Sequence, residues 1–103
     1  MEAAELVSTM IVFFRTPSNW CSGACARNED GAPVGPLSPS AVSWDLYGYL
    51  AKKNHEENHG NFTQLHLACL IIRGKMTTGT NRDLEAWNDG FENASDFIDI
   101  LSE

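Results

Sequence analysis

Apolar residues recur at helical spacing in several stretches of this chain, and that periodicity limits its fold more than any other feature. Leu6, Val7, Met10 and Phe14 lie along one helical stripe, with Ala3 extending it. Ile11, Val12 and Phe13 occupy the other sides, so a helix over residues 2–15 is expected to be covered on most of its surface. Val7–Phe14 also suits a strand, because Val, Ile, Thr and Phe favour extended backbone. The start Glu2-Ala3-Ala4-Glu5-Leu6 favours the helix, and Pro17 ends it.

Ser38 and Pro39 read as the N-cap and first position of a second helix running to about Lys53. Its stripe is Val42, Leu46, Tyr49 and Leu50, widened by Trp44 and Tyr47, and Gly48 signals close approach of another element. Residues 54–61 are polar and read as a loop. Asn61 is expected to cap a third helix, Phe62 to Arg73, with Leu65, Ala68, Cys69 and Ile72 inward and Leu67, Leu70 and Ile71 spreading the apolar surface. Gly74 is placed to end it, and a loop follows over Lys75–Gly79. Thr80 or Asn81 would cap a fourth helix through about Trp87, followed by an Asn88-Asp89-Gly90 turn. Asn93 and Asp96 resemble a capping pair for a last helix, about Ala94–Glu103, with Phe97, Ile98 and Leu101 inward and Asp96, Asp99 and Glu103 outward.

Between the first two helices, Asn28-Glu29-Asp30-Gly31 is a hairpin signal, and Pro33 restricts the second arm to a sheet edge. The expected fold is mainly α. Four or five short helices surround one core, in a single domain over residues 1–103, with a small β-hairpin or irregular arm near residues 20–35.

The charge balance narrows the function classes. Fourteen acidic and seven basic residues give a net charge of −7. The basic residues are scattered, whereas affinity for nucleic acid comes from clustered Lys and Arg. No nucleic acid and no anionic membrane surface is expected as a partner. The longest apolar runs, Met10–Phe14 and Leu67–Ile72, fall far short of the roughly 20 residues a spanning helix needs. Glu2 and Glu5 stand where a signal peptide would carry basic residues, so a cytoplasmic location is expected. Three cysteines, an odd count, argue against a disulfide framework.

Three segments together resemble one family. They are Trp20-x-x-Gly23-Ala24-x-Ala26-Arg27-x-x-Asp30-Gly31, then Ala41-Val42-x-Trp44-x-Leu46-x-Gly48-x-Leu50, then Trp87-Asn88-Asp89. Their order and spacing are similar to a family of small bacterial proteins of unknown function, some of them products of mobile gene cassettes. The resemblance covers roughly residues 18–103. It implies no reaction, cofactor or catalytic residue. The apolar Met10–Phe14 departs from the polar first helix expected of such relatives.

Four constellations are weighed for chemistry. Cys21-x3-Cys25 with His55-x3-His59 is a zinc-compatible set, but buried thiols and solvated imidazoles are the preferred reading, so neither a metal nor a cofactor is expected. Cys25 beside Arg27, with His66 as base, is a candidate nucleophile without any supporting motif, and packing is preferred. Trp20, Trp44 and Trp87 with Arg27, Asp45, Asn88 and Asp89 would line a polar or cation-binding cleft if the segments converge. The competing reading has Trp in the core and Arg27 with Asp89 pinning the hairpin onto the fourth helix. Finally, the first and third helices carry more apolar surface than a small core hides. This suggests a homodimer with Met10, Val12, Phe13 and Ile71 as candidate interface residues. The leading expectation is a non-enzymatic binding protein acting as a homodimer, with another protein or a small molecule as partner. The alternative is a small-molecule-binding protein or enzyme built on the Trp cleft.

Overall fold

Helix α1, Ala3–Phe13, buries Ala3, Leu6, Val7 and Met10, and Phe14 just beyond it is also buried. These are the five residues of the apolar stripe, so residues 6–13 are helical and not extended. The computed structural model describes residues 1–59, 61–75 and 84–102. Among these, five α-helices and a three-stranded antiparallel sheet follow in the order α1, β1 (Ala26–Arg27), β2 (Pro33–Val34), β3 (Ser43–Trp44), α2 (Leu46–Asn58), α3 (Phe62–Lys75), α4 (Leu84–Asp89) and α5 (Ala94–Leu101). The cap expected at Thr80 or Asn81, most of the loop before it, and Glu103 lie outside the described residues.

The arm is the expected hairpin with one strand added. The sheet order is β2-β1-β3. Ala26 lies opposite Val34 on one side and Trp44 on the other. Asn28 builds the turn. Its Oδ1 accepts from the N–H groups of Asp30 and Ala32, and Gly31 takes a φ of +80°, which glycine adopts without strain. Pro33, lacking a donor, sits on the edge strand as its chemistry requires.

The second helix begins seven residues later than Ser38-Pro39 suggests. A local turn does form there, with Ser40 N–H on Ser38 Oγ and Ala41 N–H on the Ser38 carbonyl. It does not propagate, because the next residues pair with the arm. Val42 N–H donates to the Arg27 carbonyl and Asp45 N–H to the Cys25 carbonyl. Val42 is therefore exposed and leaves the core stripe. The true N-cap is Asp45, whose carboxylate accepts from Gly48 N–H at 2.6 Å. The helix also runs past Lys53, through the polar stretch expected to be a loop, to Asn58. Lys52–Glu56 and Lys53–Glu57 ion pairs and an Asn58 to Asn54 side-chain bond support that extra turn, and His59, at a φ of 52°, stops it.

The three long helices form the body. The Tyr49 hydroxyl donates to Thr9 and its ring stacks on Phe13, while Asn58 reaches the Met1 carbonyl, so α2 runs antiparallel to α1. Gln64, in the first turn of α3, accepts from Ala3 N–H. Leu65, Ala68, Cys69 and Ile72 of α3 are buried, as their spacing predicts. Phe97, Ile98 and Leu101 of α5 close the core, with Asp96 and Asp99 outside. Phe97 touches the rings of Phe14, Trp20, Trp87 and Phe91. No helix among the described residues is long and apolar enough to cross a membrane.

Candidate functional site

The Trp20 segment, the segment leading into α2 and the Trp87-Asn88-Asp89 segment meet at one side chain. Asn88 is fully buried and is the last residue but one of α4. Its Oδ1 accepts from Trp20 Nε1 at 2.7 Å and from Leu46 N–H at 3.2 Å. Its Nδ2 donates to the Cys21 carbonyl at 3.2 Å and to Asp89 Oδ1 at 3.1 Å. One amide thus uses both donors and both acceptor positions to tie the Trp20 segment, the start of α2 and α4 together. Asp89 adds a second clasp by accepting from Gly23 N–H at 2.8 Å.

Of the other residues of the expected cleft, Trp44 and Asp45 are buried, Trp20, Arg27 and Trp87 are half-buried and Asp89 is exposed. Trp44 is buried, and its Nε1 donates to the Pro36 carbonyl at 3.0 Å. Lys52 of α2 places its ammonium 5.2 Å from the centroid of the Trp44 ring, so the chain supplies its own cation there. Arg27 does not pin the hairpin through Asp89. Its guanidinium donates to the carbonyls of Ser22 and Gly31, folding over its own loop. Asp45 caps α2. Trp87 packs edge-on against Phe91. The segments converge, but their polar atoms point at one another.

The thiols are poor nucleophiles. Burial, joined by the negative charges of Asp45 and Glu85, pushes the Cys25 thiol up to about 11, and its sulfur lies 3.8 Å from Glu85 Oε1. Burial likewise raises Cys21 and Cys69. The activation by Arg27 considered from sequence is thus reversed at Cys25, where desolvation and acidic neighbours dominate. The Cys and His pairs also sit at opposite ends of α2. The Cys25 carbonyl meets Asp45 at its start, while His55 lies in its last turn and His59 follows it, about 15 Å along the axis. No group of three or more His, Cys, Asp or Glu is gathered among the described residues.

The interface candidates separate. Met10 is completely enclosed by its own chain and offers no surface to a second copy. Phe13 is half-buried against Phe14, Trp44 and Tyr49. Ile71 is half-buried, and Val12 is 61% exposed. The larger apolar surface lies on α3, where Phe62 is 72%, Leu70 46% and Leu67 42% exposed. Spacing marked Leu67 and Leu70 as spreading the apolar surface but did not single out Phe62 or name any of the three as interface residues. The signal that marks them is the absence of charge, since no Asp, Glu, Lys or Arg occurs between Glu57 and Arg73.

Comparison of the chain with models of known families, with curated proteins and with solved structures finds no match.

Proposed function

We propose that this chain is a non-enzymatic interaction protein that acts as a homodimer, joined through the outward face of α3. One observation carries the reading. A surface helix of a globular domain normally keeps charged residues on its outer side. Here Phe62, Leu67 and Leu70 are exposed on a helix that has no charged residue before Arg73. The outer side of α3 thus mixes these apolar residues with the uncharged Thr63 and His66, and an exposed apolar group of this size calls for cover. Leu67 and Leu70 are one turn apart and share a face, with Ile71 at its inner border.

A second copy suits this face for two reasons. A two-fold contact brings the same patch of each subunit together, so the patch must match itself, and an uncharged patch of Phe62, Leu67 and Leu70 does. Two chains of net charge −7 repel, and they approach at least cost where neither carries charge. The alternative, a ligand held by Trp20, Arg27, Trp44, Trp87 and their neighbours, has less support, because the polar atoms of that cluster are engaged internally. Size-exclusion chromatography with light scattering tests the proposal on the native chain and on Leu67→Glu and Leu70→Glu. The native chain is expected to elute as a dimer and each variant as a folded monomer. A monomeric native chain at high concentration overturns it.

A further inference from the structure

A groove of about 470 Å³ lies between the end of α1 and the length of α5, away from the α3 face. Its floor is apolar, formed by the buried Phe14, Ala94 and Ile98. Arg15 lines it from the α1 end and Asp99 from α5, with Ser95 one turn before Asp99. Among the described residues neither the Arg15 guanidinium nor the Asp99 carboxylate has an ion-pair or hydrogen-bond partner. Two opposite charges thus line one apolar-floored groove without meeting each other.

We propose that this groove binds a zwitterion of the amino-acid class that carries an apolar side chain. A guanidinium is the best-matched side chain for a carboxylate, which it can grip through two parallel N–H bonds. The Asp99 carboxylate takes the ligand ammonium, Ser95 adds a hydroxyl, and the apolar side chain lies on Phe14 and Ile98. The volume falls within the range of small-molecule sites, roughly 300–1,000 Å³, and admits a single amino acid or a dipeptide. A ligand with one charge leaves the opposite wall unmatched, so recognition requires both.

NMR titration of the ¹⁵N-labelled chain tests this with four probes: L-leucine, L-leucyl-L-leucine, L-leucinamide and N-acetyl-L-leucine. Saturable shifts are expected at the amides of Arg15, Ser95 and Asp99 with at least one of the two zwitterions, and which of them binds tells amino acid from short peptide. Blocking either charge is expected to weaken binding about tenfold or more. Arg15→Gln should erase the preference over the amide, and Asp99→Asn the preference over the N-acetyl form. Both side chains are exposed, so both variants should fold. Absence of saturable shifts with both zwitterions up to about 10 mM overturns the proposal, as does binding indifferent to either blocked charge.

Discussion

Asn88 is the residue on which the most distant parts of the chain depend. Replacing it with Ala strands the Trp20 indole N–H, the Leu46 N–H and the Cys21 carbonyl where water has little access. A buried group left without its partner costs about 1–3 kcal/mol, and several are stranded at once. Asn88→Ala is therefore expected to lower unfolding free energy by about 3 kcal/mol or more in a urea titration. Gly48 is the second such position. A Cβ there would stand 2.0 Å from the Cys25 carbonyl oxygen, which is backbone and already bonded to Asp45 N–H. Gly48→Ala is expected to destabilise by about 1–3 kcal/mol, although alanine is the better helix former, because the arm must move away from α2. At Cys25 the consequence is for pH. A thiol raised to about 11 in the folded chain holds its proton more tightly than in the unfolded chain, where it titrates near 9. Its contribution to stability is present below pH 9 and is lost as pH rises from 9 to 11. Chemical denaturation across that window should show falling stability, less steep in Cys25→Ala, and alkylation of native Cys25 should accelerate only toward pH 11. A plateau of alkylation rate already reached at pH 9 would contradict the assignment.

At the scale of elements, the helices were legible where one stripe of side chains alone determines burial. Ala3, Leu6, Val7, Met10 and Phe14 could be read directly, and so could Leu65, Ala68, Cys69 and Ile72, because α1 and α3 pack along one side for their whole length. Truncation of Leu6, fully buried in α1, to Ala is expected to cost about 2–5 kcal/mol by thermal or urea unfolding. The start of α2 was not legible. Ser38-Pro39 has every local mark of a helix start and does turn, but pairing of Val42–Asp45 with the arm overrides it. Such pairing is long-range and leaves no trace in local spacing. The candidate cluster was legible as a set of residues but not as a role. The three Trp and their polar sequence neighbours bring Trp20, Trp44 and Asn88 into consideration together, yet only the hydrogen-bond partners show that Asn88 faces inward and Arg27 turns back on its own loop. The exposed face of α3 was half legible: Leu67, Leu70 and Ile71 were visible as an excess of apolar surface, while the choice of Met10 failed because the core encloses it.

For the whole molecule, the arm is fastened to the helical body by the buried Asn88 amide and its neighbours, and among the described residues α3 presents an uncharged face to solvent. Nothing in the interior asks for a ligand at the Trp cluster, whereas the α3 face asks for cover. Substitutions on that face should separate assembly from folding. Leu67→Glu and Leu70→Glu should leave the monomer folded, each lowering its unfolding free energy by no more than about 1–2 kcal/mol, because each side chain is only partly covered by its own chain. The most direct measurement is native mass spectrometry of the intact chain beside the Leu67→Glu, Leu70→Glu double variant. The account predicts a species at twice the 11.4 kDa chain mass for the native protein and a single-chain species for the variant. A native protein that stays a single chain, or a dimer that survives both substitutions, would contradict it.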